Sequence, residues 1–124
     1  MFENRQEAGK KLAAKLVDYR KENPVILALP RGGVPIGYEI AQVLQVPFDV
    51  IVVRKIGLSG NPEFGIGAIA EGGVKVLDAI TIEALGIDEM EIKDTIELEE
   101  KELERRVNIY RGDKHLPDLT GRVV

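Results

Sequence analysis

Val25-Ile26-Leu27-Ala28-Leu29-Pro30-Arg31-Gly32-Gly33-Val34-Pro35 opens the stretch that decides the fold, and Phe48-Asp49-Val50-Ile51-Val52-Val53 closes it. Val25 to Leu29 is a short continuous apolar run, the form of a parallel strand covered on both faces. Pro30-Arg31-Gly32-Gly33 cannot prolong it and reads as a loop. Pro35 to Leu44 follows as a helix, with proline near the start, where a missing N–H costs nothing. Phe48 to Val53 is a second β-branched run. Strand, loop, helix and strand make a βαβ unit, whose crossover is right-handed in nearly all cases. The predicted class is α/β, a parallel sheet flanked by helices.

Upstream, Arg5 to Glu22 carries Ala8, Leu12, Leu16 and Tyr19 at helical spacing, with Lys10, Lys11, Lys15 and Arg20 directed outward. Asn23-Pro24 ends that helix. Downstream, Arg54 to Gly65 is glycine-rich and without apolar period, so it is read as a long mobile loop. Ile66 to Ala70 and Val74 to Leu77 flank Glu71-Gly72-Gly73 and predict a small β-hairpin. Asp78 to Leu85 forms a short helix closed by Gly86. A longer helix then begins at Asp88, with Glu91 at the capping-box position and Ile87 able to staple against Ile92. Its buried stripe is Ile92, Ile96, Leu103, Val107 and Tyr110, and Gly112 ends it. Thr120-Gly121-Arg122 turns into Val123-Val124, the opening of another strand.

Composition narrows the function. Lys and Arg number 17 against 21 Asp and Glu, a net charge of −4. A chain built to hold nucleic acid usually shows the opposite balance. The absence of cysteine excludes disulfides, thiolate zinc sites and a Cys nucleophile. His115 has no partner at ligand spacing, and the acidic cluster from Glu97 to Glu104 is interleaved with Lys101, a solvated helix face rather than a metal site. No metal-ligating set is therefore assigned. Neither a signal core nor a run near ~20 apolar residues is present, so a cytoplasmic chain with no membrane partner is expected.

Chemistry concentrates at Pro30 to Gly33. The loop sits where α/β folds bind ligands, at the carboxyl end of a parallel strand. Gly32 and Gly33 permit positive φ and close approach. Their N–H groups, with those of the following helical turn, can hold an anion, and Arg31 adds a cationic fork. A tight turn with a surface arginine is the plainer reading of the same residues. Arg54-Lys55, at the end of the neighbouring predicted strand, adds two more cations on the expected edge of the sheet.

The blocks Leu29-Pro30-Arg31-Gly32-Gly33, Arg54-Lys55 and Asn61-Pro62-Glu63, in this order, resemble a group of bacterial and archaeal type I phosphoribosyltransferases, and the similarity runs from Phe2 to Val124. The resemblance implies that Pro30, Arg31, Gly32 and Gly33 hold the pyrophosphate of phosphoribosyl pyrophosphate. Arg54 and Lys55 would be the catalytic cations facing that leaving group. Gly57 to Gly67, with Asn61 and Glu63, would be a flexible flap that excludes water from an oxocarbenium-like transition state. It further implies transfer of ribose 5-phosphate to a nitrogenous base, with Mg²⁺ accompanying the donor. A non-catalytic phosphate- or nucleotide-binding module is the alternative.

Type I enzymes also carry a strand ending in two acidic residues, then a Thr-Gly loop that grips the ribose 5-phosphate. Thr120-Gly121 lacks that acidic pair. The expectation is a single, truncated phosphoribosyltransferase-like domain over residues 1–124, inactive alone and assembled as a homo-oligomer through exposed strand edge and helix faces.

Overall fold

The computed structural model describes residues 1–124. Two compact units emerge, one formed by residues 1–51 with 116–124 and the other by residues 52–115.

The first unit contains the βαβ core. Strand β1 (Ile26–Ala28) pairs in parallel with β2 (Phe48–Val50), in the register Ile26 to Phe48, Leu27 to Asp49 and Ala28 to Val50. Helix α2 (Gly33–Leu44) joins them, starting two residues before the position set by Pro35 alone. Gly37 lies on its sheet-facing side. A Cβ there would stand 2.8 Å from the Phe48 ring and 2.9 Å from the Ala28 Cβ, so only a bare Cα lets helix and strands approach this closely. The parallel sheet is shorter than the sequence predicts, because Val53 leaves it for a different sheet.

Helix α1 (Arg5–Leu16) passes into a 3₁₀ turn, Val17–Glu22, which Asn23 ends with a left-handed φ of 49°. Its buried residues are Gly9 and Ala13, whereas Leu12 and Tyr19 are 42% and 50% exposed. The expected stripe is met only in part: Ala8 and Leu16 are partly buried, Leu16 against Ala13, Ile40 and Leu44, while the centre of the contact falls on Gly9 and Ala13. Gly9 and Ala13 allow α1 to lie almost on the backbone of α2, and close backbone approach decides the face here rather than side-chain size.

Arg20 is exposed, as expected, yet its guanidinium is engaged. Its Nε donates to the Leu44 carbonyl at 2.9 Å, and its Nη2 donates to the Val43 carbonyl at 3.3 Å and to Gln45 Oε1 at 3.0 Å. A guanidinium thus caps the carbonyl end of α2, where the helix dipole favours a cation. Arg20→Ala should cost about 1–2 kcal/mol. In urea unfolding this would appear as a lower midpoint at unchanged slope. At the chain's end, the Val25 N–H donates to the Val123 carbonyl at 2.9 Å and Arg122 donates to the Asn23 carbonyl at 3.2 Å. Val123-Val124 is thereby drawn alongside the entry to β1 without forming a strand.

The second unit is an antiparallel sheet, in the order β3 (Val53–Leu58), β4 (Asn61–Ala70) and β5 (Val74–Leu77), with helices α3 (Ala79–Leu85) and α4 (Glu89–Arg111). Val52, Ile56, Ile66 and Ile69 pack with Ile92, Ile96 and Leu103 of α4 to form its core. The β4–β5 hairpin turns on Gly72 and Gly73, at φ 89° and 79°, as its sequence predicts. Local caps behave as expected too. Asp78 accepts the Thr81 N–H, Asp88 accepts the Met90 N–H, and Gly86 closes α3 in the left-handed region.

The stretch that reads as a long loop, Arg54 to Gly65, is instead the β3–β4 hairpin. Ile56 is fully buried and Ile66 is 2% exposed, and they anchor its two arms in the core. Near the tip, Gly57 passes so close to the Pro62 carbonyl that a Cβ would stand 2.2 Å from its oxygen. The register slips on both sides of Gly57. Those slips break the two-residue alternation that would have announced strands. The acidic face of α4 carries Glu102, whose pKa is lowered to about 2 by hydrogen bonds from Arg105 and Arg106.

Candidate functional site

The connection from β1 to α2 places Pro30, Arg31, Gly32 and Gly33 together in one loop at the carboxyl end of a parallel strand. The Pro30–Arg31 peptide bond is cis. Arg31 and Gly32 are exposed, and the loop begins at Leu29, itself 55% exposed. Gly32 is the N-cap of α2, and with no side-chain oxygen it leaves the helix uncapped. Most helices place Ser, Thr, Asp or Asn there to satisfy the first N–H groups. An uncapped, exposed N-terminus beside an arginine is suited to an external anion.

Two details differ from the sequence-based expectation. Gly32 has φ −62° and ψ −31°, and neither it nor Gly33 takes a positive φ. Backbone freedom is therefore not what these glycines provide. The Gly33 N–H donates to the Leu29 carbonyl at 3.0 Å and the Val34 N–H to the Arg31 carbonyl at 3.1 Å. Pro35 has no N–H at all, so the first helical turn offers an anion fewer donors than anticipated.

Gly32 has a neighbour from another helix. The Arg5 guanidinium lies against it, with Nε, Nη2 and Cζ at 3.3, 3.4 and 3.6 Å from where a Cβ would be. Sequence reading misses Arg5, since nothing local distinguishes it from the other basic residues at the start of α1. Only the packing of α1 against α2 reveals it.

In the second unit, Arg54 and Lys55 are consecutive residues within β3, not the entry to a loop. Alternation along a strand sends them to opposite faces. Arg54 reaches Glu99 on α4, its Nε at 2.8 Å and Nη2 at 2.7 Å from Oε2, with both side chains about a quarter exposed. Lys55 instead meets Glu63 across the hairpin, Nζ to Oε2 at 3.5 Å, in a pair whose side chains are 51% and 94% exposed. Such an open pair contributes little and exchanges partners easily. Gly57, Asn61, Glu63 and Gly67, the expected flap residues, all lie on β3 or β4 of the same hairpin.

Glu71 reads in the sequence only as a turn residue, yet it is 8% exposed and bonded on both carboxylate oxygens. Oε1 accepts the Val52 N–H at 2.9 Å and Oε2 accepts Arg111 Nε at 2.5 Å. No three acidic or imidazole side chains converge in a set that could hold a metal ion. No helix is long and apolar enough to cross a membrane.

Comparison with known proteins agrees with this architecture. A family model described as phosphoribosyl transferase domain matches residues 2–114. Two Mycobacterium tuberculosis proteins, from strains CDC 1551 / Oshkosh and ATCC 25618 / H37Rv, carry the name "putative phosphoribosyl transferase". Each is 41% identical over 128 residues, covering 99% of this chain and 28% of its own length. The crystal structure of TT1426 from Thermus thermophilus aligns with a TM-score of 0.73 at 36% identity, over 91% of this chain and 55% of that one. The chain thus spans little more than a quarter of the curated relatives it matches. A family match over residues 2–114, with relatives aligned over 99% of the chain, places it: this chain belongs to the phosphoribosyl transferase domain family.

Proposed function

We propose that this chain binds the pyrophosphate group of phosphoribosyl pyrophosphate at Pro30–Gly33 and serves transfer of ribose 5-phosphate to a nitrogenous base. The observation that carries the reading is the exposed turn from β1 into α2, with Arg31 and Gly32 at the carboxyl end of a parallel strand, in a chain of this family. During such a transfer the bond from the sugar carbon to the pyrophosphate oxygen breaks as the base nitrogen attacks. Negative charge accumulates on the departing pyrophosphate. Preorganised donors aimed at that charge lower the barrier, because they need no reorganisation as it develops. Arg31 and the Gly32 N–H supply such donors. Family resemblance assigns Arg54 and Lys55 to the same leaving group, and the β3–β4 hairpin to the flap. Lys55 can exchange its exposed partner for a phosphate at small cost, whereas Arg54 would have to leave or share Glu99.

Magnesium fits this reading only as a companion of the donor. The chain has no cluster of its own for the ion, and Mg²⁺ commonly binds through substrate phosphates and water with one or two carboxylates. Its contribution when bound would be to neutralise phosphate charge.

Inorganic pyrophosphate titrated into labelled protein should shift the Gly32 and Gly33 amide resonances saturably. Shifts confined to other residues would show the site to be misplaced. A phosphate-binding module without turnover is the second reading, favoured by the commitment of Arg54 to Glu99. Saturable binding with no base-dependent pyrophosphate release would select it.

A further inference from the structure

Arg5 is the exposed first residue of α1, and packing within the first unit brings that residue to the loop. Asn4 caps the helix, Oδ1 accepting the Glu7 N–H at 2.8 Å. One turn further on, Gly9 crosses α2 so closely that a Cβ would stand 2.8 Å from the Glu39 Cβ and 3.0 Å from the Ile36 carbonyl oxygen. Ala13, at 0% exposure, continues that contact. These small residues lay the start of α1 beside the start of α2. The Arg5 guanidinium is thereby set over Gly32, 3.3–3.6 Å from the vacant Cβ position. No protein hydrogen bond or ion pair engages it. Arg20, in the same unit, is by contrast committed to three acceptors.

An unengaged guanidinium beside the N-cap glycine of an anion loop has a chemical consequence. One arginine fork can satisfy two oxygens of a single phosphoryl group. A pyrophosphate carries two such groups, and a loop with Arg31 alone would leave the second without a cation. Arg5, 3.3–3.6 Å from the Gly32 Cβ position and without a protein partner, supplies a second fork. We propose that Arg5 is a binding residue of the Pro30–Gly33 site and gives it preference for a pyrophosphate over a single phosphate. This inference rests on the pyrophosphate reading above.

The test is calorimetric titration of inorganic pyrophosphate, and separately of inorganic phosphate, into the wild-type chain and its Arg5→Ala, Arg5→Lys and Arg31→Ala variants. Arg5→Ala should weaken pyrophosphate binding roughly tenfold and leave phosphate binding nearly unchanged. Arg5→Lys should recover part of the loss, since it keeps the charge without the fork, and it stands in if the alanine variant does not fold. Pyrophosphate affinity unaltered in both Arg5 variants but weakened in Arg31→Ala would overturn the role of Arg5 and leave the loop reading intact. Equal losses for phosphate and pyrophosphate would overturn the preference. A wild-type chain that binds no pyrophosphate would remove both readings together.

Discussion

Replacing Glu71 with alanine should destabilise the unit spanning residues 52–115 by about 3–5 kcal/mol, the range for breaking one partner of a buried ion pair. The Glu71 and Arg111 side chains are 7% and 4% exposed, so both charges are withdrawn from water. Arg111 ends α4, so its charge also complements the negative end of that helix. The carboxylate closes the unit at two places, joining the end of β4 to the start of β3 through the Val52 N–H and to α4 through Arg111. The Glu71 backbone N–H adds a bond to the Val52 carbonyl at 3.1 Å. Truncation deprives a buried guanidinium of its carboxylate and leaves the Val52 N–H without its acceptor. Thermal unfolding should show the loss as a midpoint lowered by more than ~10 °C, since a domain this size moves several degrees per kcal/mol. Glu71→Gln keeps an acceptor for Val52 but not the charge and should fall between the two. Joint replacement of Glu71 and Arg111 by methionine should cost less than Glu71→Ala, because an apolar pair leaves no buried charge behind. A Glu71→Ala chain with a wild-type midpoint would contradict this account.

Glu71 also shows which parts of this molecule its sequence discloses. Features written within a few residues are legible. The caps at Asp78 and Asp88, the closing glycines Gly86 and Gly112, the Gly72-Gly73 hairpin and the βαβ order all depend on near neighbours. Features made by distant residues are not. Glu71 and Arg111 lie forty positions apart, so a glutamate before two glycines reads as an ordinary turn. Helical spacing puts Tyr110 in the buried stripe of α4, but it is 38% exposed, and Arg111 is buried beside it because the Glu71 carboxylate receives it. The β3–β4 hairpin is hidden because Gly57, Gly60, Pro62 and Gly65 dilute its apolar content, and its slipped register masks the strand period. In α1, Gly9 and Ala13 form the centre of the contact, with Leu16 at its margin. A scale that rewards side-chain area therefore adds Leu12 and Tyr19, which are exposed.

The same division applies to the anion loop and sets what Arg31→Ala should do. Pro30 to Gly33 is legible as a strand-to-helix turn with a cation, while the neighbouring Arg5 is not. Under the pyrophosphate reading, Arg31 is the only basic side chain within the loop itself. Its removal should weaken pyrophosphate binding by ~1.5–3 kcal/mol, the range for a charge-assisted hydrogen bond, or roughly ten- to a hundredfold in dissociation constant. Arg31 is exposed, and exposed interactions contribute at most about 1 kcal/mol, so the unfolding midpoint should change far less than in Glu71→Ala. Arg31→Lys should restore only part of the affinity, because an ammonium offers a point charge where a guanidinium offers two parallel donors. Added salt should narrow the gap between wild type and variant, since exposed charges are screened over roughly 8–10 Å at physiological ionic strength. Titration of pyrophosphate at two salt concentrations, with thermal melts of the same samples, checks each part. Wild-type affinity in Arg31→Ala would place the anion elsewhere and remove the basis for a phosphoryl-binding role at Pro30–Gly33.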